Sequence, residues 1–266
     1  MPNAMPTAQP ASLTILTGAS RGLGLAMARQ LLQPGQTLLT MARQPHAGLV
    51  AEAQRAGATL EQWAVDLGEP QQAAQCLQDW LRSQPAGAFG VATLINNAGV
   101  IPPIAPLRRS QSAAMAQALR VGLEAPMLLS AAFLAATQGW AGQRKILNIS
   151  SGLGRRPMAS QAPYCAAKAG LDHFTRCLAL EEAAMPQGAQ VCALAPGVID
   201  TDMQTHLRSA AAQDFPDLPR FAALKSQGQL SSAEDTARRI LAYLQRPDFG
   251  QQPIADIREV AEEGAG

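Results

Sequence analysis

A short apolar segment, followed by a glycine-rich turn and a helical segment, sets the strongest limit on the fold of this chain. Residues 13–17 (Leu-Thr-Ile-Leu-Thr) have the composition of a buried strand, and residues 25–32 have that of a helix. Between them, Gly18, Gly22 and Gly24 follow the pattern Gly-x-x-x-Gly-x-Gly. Glycines let the chain turn tightly and let a pyrophosphate approach the helix N-terminus, where free amides and the helix dipole favour anions. The segment predicts a dinucleotide-binding strand–turn–helix unit, and a tight turn that serves packing alone is the alternative.

Apolar runs alternate with helical stretches along the rest of the chain. The seven predicted strands are residues 13–17, 37–41, 62–65, 92–95, 145–149, 190–194 and 253–256. Strands that alternate with helices are joined in parallel by right-handed crossovers, which bring their carboxyl ends to one edge. The prediction is an α/β fold, a single-domain Rossmann-type doubly wound parallel sheet of about seven strands with helices on both faces.

No Gly/Ser linker or charge run divides residues 12–266, so a single Rossmann-type domain is expected there. Residues 1–11 contain three prolines and lack the basic start and apolar core of a signal peptide, which favours a disordered leader. Residues 204–230 interrupt the strand–helix alternation and are predicted to form a mobile substrate lid. A surface excursion without substrate contact is the alternative for that segment.

Composition restricts the partners and the compartment. The chain is 47% hydrophobic and 15% charged, and its 21 basic and 20 acidic groups leave no broad field for nucleic acid. No apolar run approaches the roughly 20 residues of a membrane span. The four cysteines have neither metal-like nor paired spacing, which favours buried reduced thiols, no metal site and a cytoplasmic protein.

Ser151, Tyr164 and Lys168 carry the chemical groups that reduction of a carbonyl requires. Residues four apart on a helix share a face, so the Lys168 ammonium is expected close to the Tyr164 phenol, where it would favour the ionised form. A free phenol has a pKa of about 10, whereas acid–base catalysis is efficient when the pKa is closer to the working pH. Such a pair also arises by chance, so further motifs are needed to interpret it.

Five motifs in order make the chain resemble the classical short-chain dehydrogenase/reductase family from about residue 12 to residue 257. They are Thr17-Gly-Ala-Ser-Arg-Gly-Leu-Gly24, Asn96-Asn-Ala-Gly99, Asn148-Ile-Ser-Ser151, Tyr164-x-x-x-Lys168 and Pro196-Gly-Val-Ile-Asp-Thr201. The segments 196–203 and 254–258 are most similar to the sepiapterin reductase and benzil reductase branch.

The resemblance implies a nicotinamide cofactor, and the charges near the second strand select its form. Ala42 and Arg43 stand where an NAD-preferring enzyme would offer an acid, and Arg21 lies in the glycine loop. Guanidinium groups bind phosphate through forked, charge-assisted hydrogen bonds, so the prediction is NADPH/NADP+, with solvated arginines as the alternative. The predicted cofactor-binding residues are Gly18, Ser20, Arg21, Gly22, Leu23, Gly24, Ala42, Arg43, Asp66, Leu67, Asn97, Ala98, Gly99, Tyr164, Lys168, Pro196, Gly197, Val198, Ile199 and Thr201.

By the same resemblance, Tyr164 protonates the carbonyl oxygen, Ser151 hydrogen-bonds it, and Lys168 holds the nicotinamide ribose. Ser150 competes for the serine role, and Asn96 is expected to tie neighbouring strands together. Gly122 stands where the family usually has an active-site asparagine that supports a water leading to the lysine. Glycine cannot supply that side chain, so proton resupply is slower or another group fills the gap.

The sequence therefore predicts an NADPH-dependent reductase of small ketones or diketones, benzil-like and giving an α-hydroxy ketone. Two alternatives are a cofactor-binding regulatory protein with weakened catalysis and an alcohol dehydrogenase that works in the oxidative direction. The apolar helices at 113–136 and 166–180 fit a homodimer or homotetramer interface, and a buried intramolecular face explains them equally.

Overall fold

A computed structural model describes residues 11–260 and contains seven strands within that part of the chain. The predicted leader therefore lies, except for Ala11, outside the described residues. The strands are β1 (Ser12–Thr17), β2 (Gln36–Ala42), β3 (Thr59–Ala64), β4 (Val91–Asn96), β5 (Gln143–Ile149), β6 (Gln190–Ala195) and β7 (Ile254–Asp256). They form one parallel sheet in the order β3-β2-β1-β4-β5-β6-β7, so the predicted Rossmann-type fold is confirmed.

The helices cover both faces of this sheet. They are α1 (Gly22–Leu31), α2 (Gly48–Ala56), α3 (Pro70–Ser83), α4 (Ser112–Leu119), α5 (Ala125–Ala136), α6 (Ala162–Ala183), α7 (Asp202–Arg208), α8 (Leu218–Ser226), α9 (Ala233–Leu244) and α10 (Ile257–Val260). Helices α1, α2 and α9 pack on one face, and α3, α5 and α6 on the other. Alternate residues of one strand serve the two cores, since Ile15 packs in one cluster and Leu16 in the other.

Strand β3 differs most from its predicted bounds, because the sequence indicated residues 62–65 and the strand begins at Thr59. As an edge strand, β3 is only partly buried and half of its residues are polar, so its apolar signal is short. The ladder continues one residue past the strand, where the Val65 amide donates to the Ala42 carbonyl at 2.9 Å. Pairing with β2, rather than local hydrophobicity, determines where this strand starts.

Helices α4 and α5 are joined by a π-helical turn at Arg120–Glu124 and form one continuous helical run. Within the described residues, this run, Ser112–Ala136, is long and apolar enough to cross a membrane by length and composition. Half of its most apolar stretch is buried inside the protein, and α5 packs against α3. A buried core helix passes the same test, which is how we interpret this run.

Residues 204–230, the predicted lid, contain regular structure. The last part of α7 and all of α8 lie in this segment, and they pack on a third hydrophobic cluster, separate from the two sheet cores. The cluster consists of Met158, Leu207, Phe215 and Phe221, with partly buried neighbours that include Ile101, Ile104, Leu153, Cys165, Leu218 and Leu224. The Phe215 and Phe221 rings lie 5.4 Å apart between centroids. Whether the segment moves stays a prediction.

The expectation of four buried thiols is only partly correct. All four cysteines are unpaired, but Cys76 and Cys177 are exposed on helices α3 and α6, and Cys165 is half-buried. Cys192 in β6 is buried. The two exposed cysteines occupy the solvent faces of amphipathic helices, where a single thiol leaves no periodic signal.

The glycine loop is held against the end of β4 by hydrogen bonds from one threonine. The Thr17 hydroxyl accepts from the backbone amides of Asn97 and Ala98, both at 2.9 Å. The Asn97 side-chain amide donates to the carbonyls of Thr17, at 3.0 Å, and Gly18, at 3.3 Å. These bonds draw the loop so close that a Cβ at Gly24 would clash with the Gly18 carbonyl and lie 2.6 Å from Asn97 Nδ2.

We expect Gly24→Ala to destabilise the fold, because the neighbouring backbone carbonyl cannot move aside as a side chain would. Overpacking of this kind costs about 1–3 kcal/mol or more in free energy of unfolding. Urea denaturation of both proteins measures the difference. Gly87→Ala is the matched control, since a Cβ at Gly87 meets nothing within 4 Å, and it should change stability by less than about 0.5 kcal/mol. Equal effects of the two substitutions would contradict the close approach.

Candidate active site

The predicted catalytic residues meet where β5 ends and α6 begins. Strand β5 is buried and delivers Ser150 and Ser151 at its carboxyl end. Helix α6 starts with a proline in its first turn, a position where the missing amide costs no hydrogen bond, and carries Tyr164 and Lys168. Tyr164 is 7% exposed and Lys168 is 5% exposed. The structure thus brings a hydroxyl, a phenol and an ammonium together in a largely enclosed site.

The Tyr164 phenol is held in its protonated form. Burial raises its pKa to about 12, and a hydrogen bond with the Ser151 side chain opposes this only in part. Ser151 also accepts from the Leu153 amide at 3.2 Å, which fixes its hydroxyl at the start of a short 3-10 turn. Ser151, rather than Ser150, therefore lies beside the phenol, as the sequence predicted.

The phenol pKa is raised rather than lowered, so the expectation that Lys168 brings it toward neutral pH is not met. Lys168 Nζ donates to the Ile149 carbonyl at 2.7 Å and lies 5.8 Å from the centroid of the Tyr164 ring. Burial lowers the pKa of Lys168 itself to about 8, against an opposing contribution from Asp172. Desolvation is the largest cause of both pKa shifts, which sequence spacing alone could not reveal.

A buried chain of polar side chains lies beneath these groups. Asn96 donates to Asn148 Oδ1 at 2.9 Å and to Ser130 Oγ at 3.3 Å, and Asn148 donates to Thr175 Oγ1 at 2.9 Å. The chain links β4 and β5 to helices α5 and α6. Asn96 thus ties neighbouring strands together, as expected.

The glycine loop and the proline–glycine loop face each other at the same edge of the sheet. Gly18 and Gly22 have positive φ angles of 71° and 52°, and a Cβ at Gly22 would lie 3.7 Å from the Thr201 methyl group. No side chain caps the N-terminus of α1, and no acidic residue lies in its first turn. This arrangement fits the pyrophosphate of a dinucleotide, because amides at the end of α1 can reach a phosphate placed between the loops.

Arg21 and Arg43 reach this edge from separate places. Arg43 is exposed directly after β2, beside the buried Ala42. The Arg21 side chain is 74% exposed, and its Nη1 lies 3.4 Å from Asp202 Oδ2 at the start of α7. An ion pair this exposed contributes about 0–1 kcal/mol, so it competes weakly with a phosphate. The structure shows no contact between the two arginines.

The other predicted cofactor residues fall into two groups. Ser20 and Leu23 belong to the glycine loop, where the Leu23 side chain is buried in a sheet core and leaves its backbone for the ligand. Asp66 and Leu67 follow β3, and Asp66 Oδ1 accepts from the Gly68 amide at 2.8 Å. The Asp66 carboxylate thus shapes its own turn, in addition to any contact with an adenine.

Residues 97–99 connect the cofactor edge to the catalytic groups. Asn97 and Ala98 hold the glycine loop, as described above, so the Asn97 amide has a structural task that the sequence did not show. Gly99 is exposed, and a Cβ there would lie 3.9 Å from Lys168 Nζ. The absence of a side chain at this position leaves the ammonium approachable.

Residues 196–201 form a loop with defined backbone contacts. Gly197 has a φ of 80°, and Ile199 bridges to Ser231 while the Ser231 amide donates to the Val198 carbonyl at 3.0 Å. Thr201 is the residue before α7, and its carbonyl accepts from the first turn of that helix. The loop after Pro196 is therefore fixed at both ends, with Thr201 facing the glycine loop.

Close packing against α6 explains why position 122 is a glycine. It is buried in the π-helical turn, where a Cβ would lie 3.2 Å from the Ala167 Cβ of α6. The close approach of two helices fills the space, and Gly122 does not have a positive φ. A side chain here would need the Ala167 contact to open by a few tenths of an ångström, so asparagine at this position is not the simple restoration of a side chain that the sequence suggested.

Two site residues, Asp172 and Arg155, were missed by sequence reasoning. Asp172 is buried and accepts a short hydrogen bond from the Ser150 hydroxyl, and Arg155 Nε lies 3.4 Å from its Oδ2. A signal was available, because Tyr164, Lys168 and Asp172 are spaced four residues apart on one helix face. An acid in that row is a candidate partner of the lysine.

Comparison with known proteins agrees with this geometry. The sequence profile described as short chain dehydrogenase matches residues 12–212. The chain is 34% identical to a benzil reductase ((S)-benzoin forming) of Bacillus cereus, over 92% of this chain and 98% of that protein. It is 32% identical to the sepiapterin reductase of Meriones unguiculatus, over 90% and 93%. A metagenomic short-chain oxidoreductase solved in complex with NADP superposes with a TM-score of 0.69 at 27% identity, over 92% and 97%.

We expect the Lys168 ammonium of the cofactor-free protein to titrate near pH 8, because burial penalises its charged form. The chain has three lysines, so ¹³Cε-labelled lysine gives a spectrum of three signals, and the one lost in Lys168→Met is Lys168. Lys145 and Lys225 serve as comparison signals in the same spectrum. A Lys168 signal that titrates at the ordinary lysine pKa of about 10.5 would contradict the burial of its charge.

The lowered pKa of Lys168 also determines how this residue affects the free energy of unfolding as the pH changes. Between about pH 8 and pH 10.5, the unfolded chain retains a proton on Lys168 that the folded protein has released. This residue therefore makes the free energy of unfolding rise with pH across that window.

Proposed function

The chain belongs to the short-chain dehydrogenase family of oxidoreductases, and on that basis we propose that it is an NADPH-dependent carbonyl reductase. The substrate class we propose is small ketones or diketones, benzil-like, with an α-hydroxy ketone as product. The observation that carries this proposal is the protonated Tyr164 phenol, hydrogen-bonded with Ser151 and backed by Lys168. The similarity to benzil reductases along almost the full chain supports the substrate class.

NADPH, when bound, supplies the hydride that the carbonyl carbon accepts. The Ser151 hydroxyl donates a hydrogen bond to the carbonyl oxygen and so orients it toward Tyr164. The Tyr164 phenol donates its proton to the same oxygen, and it is a much stronger acid than the alcohol that forms. Lys168 would hold the ribose of the cofactor, because Gly99 has no side chain to cover its ammonium. The same ammonium lies beside the Tyr164 ring. Replacement of water by these fixed dipoles stabilises the charge that develops on oxygen.

The same Tyr164 phenol serves as the acid of the reduction and as the base of the oxidation, so its protonation does not separate these two directions. The regulatory alternative depends on the glycine at position 122, where the family usually has an asparagine. The packing of Gly122 against Ala167 gives that glycine a structural explanation, which supports a working reductase.

The third hydrophobic cluster places residues 204–230 beside the proposed catalytic residues. The third cluster joins α7 and α8 to Leu153, which follows Ser151, and to Cys165, which follows Tyr164. We propose that residues 204–230 cover the substrate with this apolar surface. A largely apolar cover suits an aromatic diketone, because apolar area removed from water contributes about 25 cal/mol per Å².

We expect Tyr164→Phe to abolish reduction of benzil while leaving NADPH affinity nearly unchanged. The substitution removes the donated proton and little contact surface, and general acid catalysis contributes about 10² to 10⁴ in rate. Loss of NADPH absorbance with a panel of diketones and simple ketones measures turnover, and fluorescence titration measures cofactor binding. Binding of NADPH by the unsubstituted protein without turnover on any carbonyl would favour the regulatory alternative. Full turnover by the variant would show that Tyr164 is not the acid.

Cofactor choice should depend on Arg21 and Arg43. With both changed to alanine, NADPH affinity should fall toward that for NADH, because a charged hydrogen bond contributes about 1.5–3 kcal/mol. Arg82→Ala, an exposed arginine in the last turn of α3, is the matched control and should leave the NADPH/NADH ratio intact. An unchanged ratio in the double variant would refute the assignment of the phosphate to these residues.

A further inference from the structure

Asp172 is a buried carboxylate to which the proposed reaction assigns no role. It lies on α6, one turn after Lys168 and two turns after Tyr164, and it is 1% exposed. Burying a carboxylate costs several kcal/mol unless neighbouring donors and cations compensate it. A carboxylate in such a place needs a reason beyond packing, and the residues around it supply one.

The first neighbour of Asp172 is the turn that carries the proposed catalytic serine. Oδ1 of Asp172 accepts from the Ser150 hydroxyl. Ser150 lies between Ile149, whose carbonyl receives the Lys168 ammonium, and Ser151, which hydrogen-bonds the phenol. One carboxylate oxygen thus holds the segment that contacts both other proposed catalytic groups.

The second neighbour lies on the opposite side of the carboxylate. Arg155 Nε is 3.4 Å from Asp172 Oδ2, an ion pair without hydrogen-bond geometry. Arg155 also donates to the Ala255 carbonyl at 2.8 Å and lies 4.0 Å from Asp256, which is paired with Arg258. Arg155 is therefore shared between two buried acids and neutralises Asp172 incompletely.

The loop after Ser151 also approaches Asp172 closely, at Gly154. A Cβ at Gly154 would lie 2.9 Å both from Asp172 Oδ2 and from the Lys168 carbonyl, so the loop after Ser151 packs directly on this turn of α6. Other charged and titratable groups surround Lys168 and Asp172. They are Tyr164 on α6, Arg155 in the loop, Cys192 on β6 and, beyond Arg155, Asp256 on β7. Asp172 therefore lies near two cations. Arg155 approaches it from the loop, and Lys168 lies one turn earlier on the same face of α6.

We propose that Asp172 is a positioning residue with two tasks, to supply the buried counter-charge of the Lys168 ammonium and to fix the turn that carries Ser151. This inference rests on the proposed function for its effect on rate. Its electrostatic part concerns the protein alone. The negative charge and the hydrogen bond can be removed separately, because Asn retains an acceptor for Ser150 but carries no charge.

The sign of the charge effect follows from the burial of Lys168. Burial already lowers the pKa of Lys168 to about 8, and Asp172 opposes that shift. Asp172→Asn should lower the pKa further, by about one unit or more, since an opposite charge nearby commonly shifts a pKa by about 1–3 units. A shift of about one unit reduces the protonated fraction of Lys168 at pH 8 from about one half to about one tenth.

The test compares Asp172→Asn with Ser150→Ala. In ¹³Cε spectra of the cofactor-free proteins, the Lys168 titration should move to lower pH in Asp172→Asn and stay in place in Ser150→Ala. With saturating NADPH and benzil, the alkaline limb of kcat against pH should move down in the first variant. In the second, kcat should fall without a shift of that limb, because only the turn has been loosened.

An unmoved Lys168 titration in folded Asp172→Asn overturns the proposal. If that variant does not fold, Arg155→Gln decides, because the Arg155 side chain is about one-third exposed and so tolerates replacement better than the buried Asp172. Removal of the competing cation should move the Lys168 titration to higher pH, and no upward movement would overturn the proposal. Failure of the proposed function is recognised separately, as absence of carbonyl reduction by the unsubstituted protein, and leaves the ¹³Cε experiment decisive.

Discussion

The hydroxyl of Thr17 holds together the two halves of the sheet edge on which the site depends. The sheet order reverses between β1 and β4, which are neighbours in space but not in sequence, and in open α/β sheets ligands bind at the carboxyl ends of the strands beside such a reversal. Thr17 ends β1 and accepts both amides that follow β4. The glycine loop and residues 97–99 are joined at this point, and Gly99 brings the same segment beside the Lys168 ammonium.

Much of the fold was predictable because its signals are local. Apart from β3 and the three-residue β7, the strands are largely buried and rich in apolar residues, and glycines and prolines mark many of the turns between them, so these strands can be found without knowledge of their partners. Strand β3 and segment 204–230 were described less well for a common reason. The start of β3 is set by pairing with β2, and α7 and α8 are stabilised by Met158 and Leu153 from a distant part of the chain.

In the candidate site, the sequence identified the chemical groups but not the surroundings that set their ionisation. The spacing of Tyr164 and Lys168 identified the groups, and the glycine loop placed them in context. Their ionisation could not be read in the same way, because desolvation depends on every atom packed around them and outweighs the attraction inferred from spacing. Gly122 is a parallel case. A comparison of motifs makes it a missing side chain, whereas in the structure it is the point where the π-helical turn at Arg120–Glu124 approaches α6.

The third hydrophobic cluster is separate from both sheet cores, and this separation has an evolutionary consequence. Phe215 and Phe221 pack with one another and with residues of loops and helices, Cys165 of α6 among them, and no member of the cluster lies in a strand. Selection can therefore alter this region at little risk to folding, while the catalytic row on α6 is retained. Related chains should diverge here first, and exchange of the whole segment between them is a practical route to altered substrate preference.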